Sequence, residues 1–581
     1  MASSQPQKAG HKSLVLGLLL ILTVMIRLPI LVEPWGADQA GFGHIGKGIL
    51  EGKVPYKDNY DLTAYGVFFT FALFFKLFGT TMVAAHIGHL LVSVITTILV
   101  FFLVDRLYGR RAAVLAALCY SVFSNGLAFS GFGYENKSAW GTYWYLSQRE
   151  VFMAPLILGA IFLTVLGEKK DRTLIYFLNG LLIGLAAFYK LTAVLILVLI
   201  ILFTGSEDLA RKRPFRWRKV LARTLLLVGG FILVQIPFLY YFWVHDALKD
   251  VHEALFTHLS LYLKLSRGRR IETFFSGHFS ILKENLVLWL LAGVSCLYIF
   301  FRDRTRNSIL VASWGIASLL MVWGQGKFFG YHFLLIVPPF SALAGYGLTR
   351  FFKQGHGFRS FLNDGLADIR KTFVLATIGL SIVGFGISNY DYYRRHVDYV
   401  LGKLSKIEYY DVFNEFPTHP YSFRSDYQVT EYLKANAAGG DRLGLIFSAG
   451  DTVIHFLTGL APVSRFIQSW YLFPSDKTLA SHPVTLGLRK ELIDQMIEVS
   501  PRFILVVHIP WEKLRRLPGL RDDPEVLRFD AYIQQNYTLK EFPDNRFLYV
   551  KKADGLADVE KPPSFFRNGR PGMSSIISGI S

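Results

Sequence analysis

Residues 13–40 read SLVLGLLLILTVMIRLPILVEPWGADQA. From Ser13 to Leu31 the only charge is Arg27, near the end of the run. About 20 such residues, wound as a helix, cross the roughly 30 Å hydrocarbon layer of a bilayer. Asp38 then follows a few residues beyond the span. Lys8 and Lys12 precede the run, as in a signal peptide, but no small-x-small cleavage site follows it, so it reads as a retained span.

The same texture recurs along the chain. Of its 581 residues 52% are apolar and 15% aromatic, while only 18% are charged, which excludes an ordinary soluble enzyme. The pattern predicts a polytopic α-helical membrane protein of about eleven spans, near residues 14–32, 82–104, 111–127, 150–166, 173–188, 190–204, 220–243, 285–301, 307–323, 331–349 and 371–389. Residues 65–78 are apolar but too short to cross comfortably, and are expected as an interfacial or re-entrant helix. Counting them as a span would invert every later loop.

The net charge of +19 is explained by where it falls. With the N-terminus in the cytoplasm, the basic segments Arg106/Arg110/Arg111, Lys169/Lys170/Arg172, Arg211–Lys219, Arg302/Arg304/Arg306 and Arg350–Lys371 all lie inside, as the positive-inside rule requires. Nucleic acid is therefore not the expected partner; membrane lipid is. One loop breaks the rule: Lys264, Arg267, Arg269 and Arg270 fall on the outer side, where a bound anion is one explanation and the tolerance of a longer loop the other. Cys119 and Cys296 both lie in expected spans and form no disulfide framework.

Beyond about residue 390 the texture changes. Polar and aromatic sequence leads into short apolar runs, Arg442–Phe447, Arg502–His508 and Arg546–Val550, alternating with helix-like stretches. The expected organisation is a transmembrane module over 1–390, an extracytoplasmic α/β domain over 391–552, and a Pro-, Gly- and Ser-rich disordered tail over 553–581.

Charge within or beside a span is costly and needs an account. Arg27, Glu150, Lys190, Lys327 and His332 all fall near span ends that this topology assigns to the outer face, the face of Asp38. For each there is a plainer reading: snorkelling for Arg27 and Lys190, ion pairing for Glu150, a hydrogen-bonded structural histidine for His332, and a helix cap for Asp38. No cysteine ligand set, HExxH or Walker loop is present, so no metal or nucleotide cofactor is expected. What remains is a carboxylate with cations. Cations hold a phosphate and stabilise it as a leaving group, and a carboxylate takes the proton of an attacking hydroxyl.

In order along the chain come Arg27, Asp38, the loop Gly52-x-x-Pro55-Tyr56-x-Asp58-x-x-Asp61, Phe78-Gly79, the Gly184–Lys190 segment and Tyr331-His332-Phe333-x5-Pro338-Pro339. This set resembles the GT-C superfamily, and more narrowly its bacterial branch related to protein O-mannosyltransferases and lipid A aminoarabinose transferases. The resemblance covers roughly residues 14–350 and extends to the C-terminal domain. It implies transfer of a sugar from a polyprenyl-phosphate sugar to an extracytoplasmic acceptor (protein, lipid or glycan) at the bacterial plasma membrane. It implies Asp38 as general base and Glu150 as the second acidic position. Lys190, and after it Lys327 and His332, match positions near the lipid phosphate, with Arg27, Tyr56, Asp58 and Asp61 as further substrate-binding positions; a phosphate held instead by the outer-loop cluster with Arg269 and Arg270 is consistent with the departures that follow. Gln39 stands where the family often has a second acid, and Leu62-Thr63-Ala64-Tyr65 where it often has Lys and Pro. The rivals are a lipid or polysaccharide transporter, a non-catalytic assembly protein, and a polymerase or ligase using a diphosphate-linked donor. A transporter would show two related halves, and none are evident.

Overall fold

The computed structural model describes residues 5–124, 146–167, 173–207, 216–265, 270–353, 389–413 and 422–552. The chain forms two compact units: Met1–Glu33, Ala64–Val244 and Arg269–Lys403 make the first, and Pro34–Thr63, His245–Gly268 and Leu404–Ser581 the second. The single boundary expected near 390 therefore gives way to an interleaved division, because two earlier loops find their packing partners in the C-terminal sequence.

The first unit is helical. Among the described residues, six of its helices are long and apolar enough to cross a membrane: Ser13–Val32, Met82–Tyr108, Arg149–Gly167, Trp217–Val244, Arg306–Gln325 and Gly330–Arg350. Four shorter apolar helices accompany them, at Gly66–Phe78, Thr173–Ala187, Leu191–Gly205 and Asn285–Phe301. The expected span at 111–127 is a helix over Arg110–Phe123, and nearly all of the one at 371–389 lies outside the described residues. The helix expected over 285–301 begins earlier, at Arg270, and kinks at Asn285, whose backbone (φ −126°, ψ 27°) leaves the helical region.

Where apolar helices meet in lipid, hydrophobicity does not separate them from their solvent, so close backbone approach does the binding. The Thr173–Ala187 and Trp217–Val244 helices show this reciprocally. A Cβ on Gly180 would strike the Leu227 carbonyl, and one on Gly230 would strike the Phe177 carbonyl. Gln235 Nε2 adds a hydrogen bond to the Gly184 carbonyl at 3.1 Å.

The second unit is built on a five-stranded mixed sheet. Its strands are β1 (Arg442–Ile446), β2 (Ala461–Pro462), β3 (Phe503–Val507), β4 (Tyr537–Phe542) and β5 (Arg546–Lys551), in the order β2-β1-β3-β5-β4. The first three run parallel, and β5 pairs antiparallel with both β3 and β4. Every residue of β3 is buried, which suits its uninterrupted apolar sequence. The helix Ala37–Leu50 belongs to this unit: Trp35, 1% exposed, packs against Phe456 with ring centroids 4.7 Å apart, and Gly43 leaves room for its indole. At the start of β5, Arg546 is fully buried and bonds Asp426 through Nε at 2.7 Å, while its Nη2 lies 2.8 Å from Asp451.

Candidate active site

In the first unit, Lys190 occupies an extended residue between the Thr173–Ala187 helix and the short 3₁₀ turn Leu191–Ala193. That break aims its side chain at the ends of two other helices. Nζ bonds Glu150, in the first turn of the Arg149–Gly167 helix, and Gln325 Oε1 at 2.5 Å, the last residue of the Arg306–Gln325 helix. It also lies 5.7 Å from the centroid of the Tyr331 ring. Glu150 is fully buried, and its Oε2 has no hydrogen-bond partner among the described residues. Its carboxylate is favourably placed near a helix N-terminus, but that gain is small beside the need for Lys190.

His332 belongs to the same cluster. It is 4% exposed, its ring meets that of Tyr331 at 4.7 Å, and the cations it faces electrostatically are Lys190, Arg149 and Lys327. Lys327 lies in the short connection between two apolar helices, where burial pushes its ammonium down to about 8. The structure thus brings Glu150, Lys190, Lys327 and His332 together, and adds Gln325 and Tyr331. Gln325 escaped sequence reasoning because a neutral amide ending a span raises no charge penalty. Beside the 3₁₀ turn Gly330–Ile336, an apolar recess is lined by Ile281, Leu288, Trp289, Phe333 and Leu334.

Arg27 is fully buried at the end of its span and donates to the carbonyls of Thr23 (3.1 Å) and Ser121 (3.0 Å) and to Ser124 Oγ (2.5 Å). These bonds tie two helix ends together and account for an otherwise unaffordable charge. Nearby, Glu33 is held by the Tyr392 hydroxyl and lies 3.4 Å from His396 Nε2. The sequence offered no reason to join residues so far apart.

In the second unit, Asp38 is half-buried in the first turn of the Ala37–Leu50 helix, where a negative charge suits the helix dipole. The capping residue is Gly36, so the reading of Asp38 as the cap itself is corrected. Gln468 Nε2 reaches the Ala37 carbonyl at 3.4 Å. The loop that follows is bonded to itself. The Tyr56 hydroxyl donates to the Thr63 carbonyl (2.6 Å), Asp58 Oδ2 accepts from the Val54 amide (2.6 Å) and Asp61 Oδ1 from the Thr63 amide (2.7 Å). Tyr56 takes a left-handed backbone, φ 69°, to close the turn.

Arg465, which the sequence did not mark, anchors both inserted loops. It bonds Asp250 at 2.7 Å, Glu491 at 2.8 and 2.9 Å, and the Tyr56 carbonyl at 3.3 Å. Next to it the Tyr60 hydroxyl meets His258 Nδ1 at 3.2 Å, on a π-helical turn over Glu253–His258. Arg269 lies outside the described residues, as does the side chain of Arg270. Among the described residues no group of three or more His, Cys, Asp or Glu is arranged to hold a metal ion.

Comparison with known proteins places this architecture. The dolichyl-phosphate-mannose-protein mannosyltransferase family profile matches residues 63–241. ArnT from Cupriavidus metallidurans bound to undecaprenyl phosphate superposes with a TM-score of 0.55 at 13% identity, over 95% of this chain and 99% of that one. The fold is that of the GT-C glycosyltransferases. The archaeal oligosaccharyltransferase AglB from Archaeoglobus fulgidus, in complex with an inhibitory peptide and a dolichol-phosphate, shares the GT-C fold at a TM-score of 0.50 and 15% identity, over 95% of this chain and 75% of that one. No curated protein matches the chain in sequence. With its apolar helices and GT-C architecture, the chain is an integral, multi-pass membrane protein.

Proposed function

We propose that the chain is a membrane glycosyltransferase that moves a sugar from a polyprenyl-phosphate sugar to an acceptor outside the cytoplasm of a bacterium. The observation that carries this reading is the half-buried Lys190 group in a GT-C fold: one ammonium held by Glu150, Gln325 and Tyr331, with Lys327 and His332 around it. Such a group suits a phosphate that gains negative charge as it leaves.

In the reaction, the acceptor's hydroxyl oxygen forms a bond to the anomeric carbon of the sugar. The bond from that carbon to the phosphate oxygen breaks, and its electron pair leaves with the lipid phosphate. Asp38 accepts the hydroxyl proton. The self-bonded loop of Tyr56, Asp58 and Asp61 gives the chain after the Asp38 helix a fixed form, and the C-terminal sheet unit serves acceptor selection.

The test is Asp38→Asn. It should insert and fold as the parent does while turnover, read as the loss of a sugar from envelope glycans or glycoproteins by mass spectrometry, falls at least about a hundredfold. Turnover near the parent level would remove Asp38 from the chemistry.

A further inference from the structure

Glu150 is the anion that holds Lys190 when no phosphate does. It is fully buried, one of its oxygens contacts Nζ, and the other has no hydrogen-bond partner among the described residues. A buried carboxylate in that position depends on its cation. A phosphate arriving at Lys190 competes with Glu150 for the ammonium and meets a like charge that the protein cannot move into water.

The competition is unequal between donor and product. A sugar phosphodiester carries one negative charge. The lipid phosphate left after transfer is a monoester, and by analogy with other phosphate monoesters its second proton dissociates near pH 6, giving a charge of about −1.5 to −2 at pH 7. Coulomb repulsion scales with that charge, so Glu150 opposes the product more than the donor. From this geometry we infer that Glu150 is a discharge residue, which expels the lipid monophosphate by reclaiming Lys190 after each transfer. The inference rests on the reading that the phosphate binds at Lys190. It assigns Glu150 an effect opposite in sign to that of a group that binds substrate.

The experiment measures binding to the purified full chain in detergent, with two probes: a short-chain prenyl monophosphate and its methyl phosphodiester. Glu150→Gln keeps the shape and removes the charge. At pH 8 it should tighten the monophosphate at least about tenfold and the diester no more than about threefold. Between pH 5.5 and 8, as the monoester ionises, its affinity relative to the diester should rise more steeply in Glu150→Gln than in the parent. A purely structural residue would not alter that pH profile. Glu150→Asp, which keeps the charge, should retain the parent profile, so a folding defect in Glu150→Gln would still leave a readable prediction. Weaker or unchanged monophosphate binding in Glu150→Gln, or the same pH dependence of the monoester-to-diester ratio in parent and variant, overturns the inference. Lys190→Ala tests the underlying reading separately: it should lose both probes, and if it binds both normally the phosphate site lies elsewhere whatever Glu150 does.

Discussion

His44 and His455 face each other inside the second unit, their ring centroids 5.5 Å apart. They are 7% and 2% exposed, and neither nitrogen of His44 makes a hydrogen bond of good geometry to a described residue. Burial, aided by Lys47 and Lys53, holds His455 down to about 4 and His44 well below the ordinary histidine range. The unfolded chain, titrating near 6.5, therefore binds more protons than the folded one below that pH, and stability falls as pH falls. For His455 the full effect is about 3 kcal/mol, reached only near pH 4. The melting temperature should drop between pH 7.5 and 4.5, and His44→Leu should lessen the drop. An equal drop in that variant would exclude the pair as its source.

Lys327 gives a second pH dependence, of opposite sense. Its ammonium, lowered to about 8 by burial, is charged below that value and neutral above it. Affinity for a prenyl phosphate should weaken as pH rises from 7 to 9, and Lys327→Met should flatten that part of the curve. Titration of binding at constant ionic strength reads it directly, and a parent curve flat through pH 8 would remove Lys327 from the anion site.

Arg465→Leu should leave Asp250 and Glu491 facing each other without their shared cation. These groups are partly solvated, so the expected loss is modest, about 1–2 kcal/mol. The sharper readout is local: limited proteolysis should cut first within residues 245–265. Arg465→Lys should recover only part, since an ammonium lacks the fork that serves two carboxylates.

Gly230→Leu should separate the Thr173–Ala187 and Trp217–Val244 helices, whose backbones meet at Gly180 and Gly230. The expected result is poor yield of folded protein in detergent and a lower melting temperature. Gly229→Leu should be tolerated, because a Cβ on Gly229 meets nothing within 4 Å.

The six long apolar helices were legible because hydrocarbon thickness imposes a length and a polarity that any 20-residue window reveals. Strands β1, β3 and β5 were legible for a related reason: each is a compact apolar run with most of its residues buried. β4 alternates polar residues along an edge, and β2 is two residues long, so neither raised a signal. At the candidate site, charge near a span end singled out Glu150 and Lys190, but their pairing across 40 positions comes from packing, which one sequence does not disclose. Arg465 was invisible for the opposite reason, since an arginine in polar sequence is ordinary. Tyr56, Asp58 and Asp61 stood out for chemistry, yet each makes a bond that shapes the loop itself.

The interleaving of the second unit has a consequence for how the protein is made. Residues 34–63 leave the ribosome long before the chain from Leu404 onward, which completes their unit. At about 5–20 residues per second, synthesis of the intervening stretch takes roughly 17–70 seconds. Throughout that interval Trp35 lacks Phe456, His44 lacks His455 and the Ala37 carbonyl lacks Gln468. The helix bearing Asp38 waits unsupported while the spans after it are inserted, and truncation anywhere before Leu404 strands it permanently. A nascent chain of this kind has no half-working stage: its first loop is among the earliest segments to be made and among the last to be finished.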